Sequence, residues 1–296
     1  MLTGILFALA TGLLFMLIGI VFSYAGTRVD ILNVLLLQNL FLGILFLAAA
    51  VPGGFSGAMW LPVAVMAATG AVNILAMFTL QKAMALGNPG AAWAIAQSAL
   101  VGPYVGALLF LGERPTVARV TGIVLILGGM ALLGVCSKKS IDAGAGSGGG
   151  RYRWLLLAFL SFGLLVAAQY FVTASSRWSA EVGTPLRAGS LSLGSVLLAA
   201  GVKAARRQYR FRFDRRTVIC VAGLTTLGLV SQSTIFITVD RLSEAGAAGI
   251  GYPVMMGSCI ALFFLYTTLV LKEKSSIGGK LAVAILVAGI FSLCFS

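Results

Sequence analysis

Apolar residues run along this chain in blocks of roughly 20, broken by short polar interruptions. A block of about 20 apolar residues is the length of a helix that crosses a hydrocarbon core. The alternative, apolar–polar alternation over about ten residues as in a membrane barrel, does not recur. The pattern predicts ten spans: residues 2–24, 30–50, 59–81, 90–111, 115–135, 153–175, 185–202, 217–239, 245–271 and 276–295. The expected fold is all-α, a polytopic membrane protein whose successive helices are antiparallel neighbours. The first block starts directly after Met1, and no basic residue precedes Arg28. It is too long and lacks the basic flank of a cleavable signal, so it reads as the first span.

One interruption differs from the rest. Residues 137–152 are rich in Gly, Ser and Ala and read as a flexible cytoplasmic linker. It divides the chain into a first five-helix unit, 1–136, and a second, 153–296. The units share a weak pattern. "LGERPTVARVTGIVLILGGMALL" from Leu111 aligns with "LKEKSSIGGKLAVAILVAGIFSL" from Leu271, pairing Glu113 with Glu273 and Gly129 with Gly289. An odd number of crossings per unit makes the second copy enter from the opposite side, the inverted-repeat layout of secondary transporters.

Composition sharpens this picture. The chain of 296 residues is 59% hydrophobic and 10% charged, where soluble domains carry about 25%. Its formal charge of +13 and the stretch "AARRQYRFRFDRR", 204–216, resemble a nucleic-acid surface. The membrane reading explains them better. Sixteen of the 21 basic residues fall on one side of the expected topology, which the positive-inside rule makes cytoplasmic. No nucleic-acid partner is expected. The basic loops would meet anionic headgroups, and Tyr209, Phe211 and Phe213 would sit at headgroup level. Both termini would face outward from the cytoplasmic membrane. The sequence is compatible with association into a homo-oligomer.

Ten spans in two halves, with "LGERP…TGIVLILGGMALL" opening the fifth, resemble the drug/metabolite transporter superfamily of EamA-type five-helix repeats. The second copy departs from the pattern at Lys272 and Ala282. Exporters of that family typically carry a basic cytoplasmic N-terminus and a basic second loop; here "VPGGFSG" follows the second span. "GAVN" at Gly70, "ALG" at Ala85, "LVLKE" at Leu269 and the long basic loop are more similar to the sugar-uptake branch, which includes the L-rhamnose–proton symporter and glucose uptake proteins. The resemblance implies that the first four helices of each half line the cavity.

Polar side chains within those spans are then the candidates for substrate contact, because burying them in hydrocarbon is costly. They are Asn39, Asn73, Trp93, Gln97, Gln169, Tyr170, Gln232 and Tyr252, with Gln38 and Ser98 beside them. Amides donate and accept, which suits hydroxyls, and rings pack against the apolar face of a sugar. Each amide could instead simply bond between helices. Pro103 and Pro253 interrupt the fourth and ninth spans at comparable places and mark an expected outer gate.

No acid stands in mid-span. Proton coupling would need one at a helix end, where Asp240 and Glu244 are the candidates; the other reading is a solvated loop beside Arg241. With no histidine, and Cys136, Cys220, Cys259 and Cys294 scattered, no metal site, disulfide framework or cofactor is expected. Nor is there the clustered acid or base that an enzyme needs. The expected function is transport of a small polar uncharged, sugar-like metabolite by alternating access. The alternative is export of amino acids or drug-like metabolites.

Overall fold

The computed structural model describes residues 1–25, 28–54, 57–85, 92–93, 96, 99, 116–141, 148–174, 182–207, 213–270, 272 and 277–294. Among them are nine α-helices: α1 Leu2–Ala25, α2 Ile31–Ala50, α3 Trp60–Ala85, α4 Val117–Ile141, α5 Gly148–Ala174, α6 Thr184–Ala205, α7 Arg215–Glu244, α8 Gly251–Leu269 and α9 Ile277–Cys294. Short 3-10 turns lie at Val51–Gly53, Gly57–Met59 and Ala248–Ile250. Six helices (α1, α2, α3, α6, α7 and α8, some with an adjoining turn) are long and apolar enough to cross a membrane. The chain is a multi-pass membrane protein. The fourth expected span lies mostly outside the described residues, although Ala92, Trp93, Ala96 and Ala99 within it are buried. Helices α4 and α5 run into both ends of the stretch read as a linker, reaching Ile141 and starting at Gly148.

Local chemistry explains where the helices begin and end. The Asp30 carboxylate accepts the Leu32 N–H at 3.2 Å, capping α2. Gly183 and Pro185 open α6, where the missing proline N–H is no loss. In the first turn of α7, the Thr217 hydroxyl donates to Asp214, which precedes the helix, and holds its carboxyl below the usual value. At the far end of α7, the N–H of Ala247 donates to Leu242 O and that of Gly246 to Ser243 O, with Gly246 at φ +64°. Those two bonds, with glycine in the left-handed region, are a Schellman stop.

In the bundle, α3 packs on α5 and α6, α2 on α6, and α1 on α7 and α8. Backbone meets backbone where α3 crosses α6. A Cβ on Gly194 would lie 1.7 Å from Ala67 O, and one on Gly70 1.8 Å from Leu191 O. Van der Waals packing drives helix association in lipid, and small residues permit this approach. Helices α4 and α9 form a separate pair set against α8. There a Cβ on Gly129 would meet Ala282 O and Leu286, and one on Gly289 would meet Gly122 O and Ile126. As one helix advances the other recedes, so the two are antiparallel about a local two-fold.

Candidate functional site

Between α1, α2, α3, α5, α7 and α8 lies a narrow cavity of about 70 Å³. Its wall is mostly apolar, with Phe15, Phe22, Met77, Trp93, Phe162 and Met256 prominent. Five amides punctuate it: Gln38 and Asn39 from α2, Asn73 from α3, Gln169 from α5 and Gln232 from α7. No charged side chain is among the described lining residues.

Three of the amides are engaged. Asn39 Nδ2 donates back to Leu35 O at 2.8 Å, the bond that a residue within a helix makes to its own preceding turn. Asn73 Nδ2 reaches Ser195 Oγ of α6 at 3.4 Å, and that hydroxyl donates to Gly70 O at 2.8 Å. Gln169 Oε1 accepts from the Tyr252 hydroxyl at 3.4 Å. Trp93 is buried, its Nε1–H on Cys259 Sγ at 3.2 Å and its ring 5.7 Å from Phe263. Gln38 Oε1 and Gln232 Oε1 are buried without a hydrogen-bond partner.

The structure thus brings Asn39, Asn73, Trp93, Gln169 and Gln232 to one cavity, with Tyr252 one layer behind through Gln169. Gln97, Pro103 and the Tyr170 side chain lie outside the described residues. Pro253 is placed differently from its expectation. It stands in the first turn of α8, where it breaks no hydrogen bond, and the interruption lies just ahead at Ala248–Ile250.

Of the two acids, Asp240 sits differently from the solvated reading beside Arg241, and Glu244 agrees with it. Glu244 pairs with Arg241 at 3.2 Å on the surface, whereas Asp240 belongs to Arg187. Arg187 Nη1 and Nη2 grip both Asp240 oxygens at 3.2 and 2.9 Å, and the guanidinium carbon lies 5.1 Å from the Phe236 ring centre. The arginine is 2% exposed. Its fork joins α6 to α7, which otherwise barely touch. This ion pair is at the end of the bundle away from Arg206, and Phe236 directly follows the lining residue Ile235. At the other end Lys203 Nζ donates to Asn33 Oδ1 at 3.0 Å, and Gln81 Nε2 to Phe22 O at 3.0 Å. Sequence alone pointed to neither ion pair nor end clasp. An arginine three residues inside an apolar span was the available signal.

Comparison with known proteins bears on what this cavity is for. Residues 2–135 match the EamA-like transporter family. The EamA-like segment holds α1 to α3 and most of α4, and with them Gln38, Asn39, Asn73 and Trp93 of the cavity wall. A solved structure, described only as the crystal structure of a protein, aligns over 99% of this chain and 98% of its own at a TM-score of 0.70 and 19% identity. That likeness extends the shared fold beyond the EamA-like segment. No curated protein sequence matches.

Proposed function

We propose that the chain is an EamA-type secondary transporter, carrying a small, polar, uncharged, sugar-like metabolite across the cytoplasmic membrane by alternating access between two inverted five-helix halves. The observation that carries this reading is the cavity itself. Both halves contribute to it, it offers five amides beside stacking aromatics, and its described lining is without charge.

The packing supports inverted halves. If α1, α2, α3 and α4 correspond to α5, α6, α7 and α9, then the α3–α5 contact repeats as α7–α1, and α3–α6 as α7–α2. The α2–α6 and α4–α9 contacts map onto themselves. At α4–α9 the glycines aligned in sequence, Gly129 and Gly289, exchange roles about the two-fold. The α4–α9 pair adds no described residue to the cavity wall.

In this reading the Arg187–Asp240 pair closes the outward end, and Asp240 is the acid through which proton coupling would act. The basic 204–216 loop faces the cytoplasm and anionic lipid. The Phe, Trp and Met share of the wall favours one competing cargo, an exported amino acid or drug-like metabolite. Proteoliposomes separate the two. Inward flux of a sugar, reduced at least tenfold by Gln97→Ala and by Gln232→Ala, supports sugar uptake. No flux or binding across a sugar panel, with flux of amino acids instead, replaces it with the exporter.

A further inference from the structure

Two amide oxygens in the cavity, Gln38 Oε1 and Gln232 Oε1, are buried with nothing to accept from. The other three amides are tied to Leu35, Ser195 and Tyr252. A buried acceptor left unmade costs free energy, whereas exchanging it for an apolar group of similar shape costs little. Two such acceptors in one wall therefore favour an occupant that donates to both.

The backbone around them is arranged to keep the pair together. A Cβ on Gly228 would lie 2.9 Å from Leu42 Cδ1 and 3.6 Å from Gln38 Nε2. Glycine at that position lets α2 bring Gln38 close against α7. Gly228 and Gln232 are four apart, on one face of α7. Gln38 thus meets α7 about one helical turn from the position of Gln232, and both side chains line a space with no charged described lining residue.

We infer that Gln38 and Gln232 form an acceptor pair that selects a neutral cargo presenting hydrogen-bond donors, hydroxyl or amide N–H, and discriminates against counterparts whose donors are capped. This rests on the transport reading and makes Gln38, with Gly228 behind it, a specificity determinant. A lost donor at a site built to bond it is rejected far more strongly than a missing methylene.

The test is a binding panel on the purified full chain. It contains hexoses, pentitols and small neutral amides, each with its O- or N-methylated counterpart. At least one parent should bind, and its methylated counterpart should bind at least tenfold more weakly. Gln38→Met and Gln232→Met, which keep length but remove the acceptor, should each erase that difference. Without ligand both variants should melt no lower than the parent protein, because a glutamine holding helices together would melt lower when replaced. Capped and uncapped compounds binding alike, no member binding at all, or discrimination that survives both substitutions each overturn the acceptor pair. Liposome flux of any bound compound tells the two failures apart. Carriage that ignores capping removes the acceptor pair and leaves the transporter standing.

Discussion

A buried arginine has few ways to exist inside a helical bundle, and Arg187 shows one. Both terminal nitrogens are on Asp240, and the flat face is against Phe236. Breaking a buried pair by deleting one partner costs about 3–5 kcal/mol, because a charge is left behind. Asp240→Asn should therefore lower stability in a denaturation series by an amount of that order. The exchange Arg187→Asp with Asp240→Arg should recover part of it. A latch should also show in access. A cysteine replacing Ser231 in the cavity should react faster with a thiol reagent applied from the Arg187 end in Asp240→Asn than in the parent, and return towards the parental rate in the exchanged pair. Asp214 gives the sign of an acid effect. Its carboxyl is held below the usual value by the Thr217 hydroxyl, so its contribution is present at neutral pH and is lost as pH falls through that lowered value. Thermal melts of the parent and Asp214→Ala should differ at pH 7 and converge in strong acid. At this scale the sequence was least legible. It placed Asp240 beside Arg241, its neighbour in the chain, because local order cannot show that Arg187, 53 residues earlier, turns inward.

At the scale of helices the sequence was most legible. Continuous apolar blocks announce helices, and among the described residues nine of the ten expected spans coincide with a helix, six of them long and apolar enough to cross a membrane. Ends were harder to read. Gly148 to Gly150 and Lys138, Lys139 and Ser140 look like a loop by composition, yet the helices continue through them. Pro253 looked like an interior break but falls in a first turn, because Gly246 had already stopped the preceding helix. The contact glycines carry no signature in an apolar block, and only packing reveals which ones matter. Gly194→Leu, whose first side-chain carbon would press 1.7 Å from Ala67 O, should abolish a monodisperse peak in size-exclusion chromatography. Gly223→Leu, with open space at its Cβ, should leave that peak intact. The α4–α9 two-fold makes a paired forecast. In a background without native cysteines, Ile126→Cys with Gly289→Cys and Gly129→Cys with Leu286→Cys should cross-link to similar extents. A parallel arrangement would give one pair at most.

For the molecule as a whole, the basic residues gather on one side of the expected topology, and the proposed orientation rests on that difference. Membrane-impermeant labelling of Arg207→Cys and Ser243→Cys should occur from opposite sides, with position 207 on the cytoplasmic face. Labelling of position 207 from outside would invert the protein. The described cavity lining has one more consequence, an electrical one. A transmembrane field acts on charge, at about 2.3 kcal/mol for each elementary charge moved through 100 mV. Those lining side chains are uncharged, and so is the proposed cargo. Neither gives the field a handle when the halves rock. Exchange of cargo for cargo should then run at the same speed at any membrane voltage. Whatever voltage dependence appears in net accumulation counts the charges on the ion that travels with it.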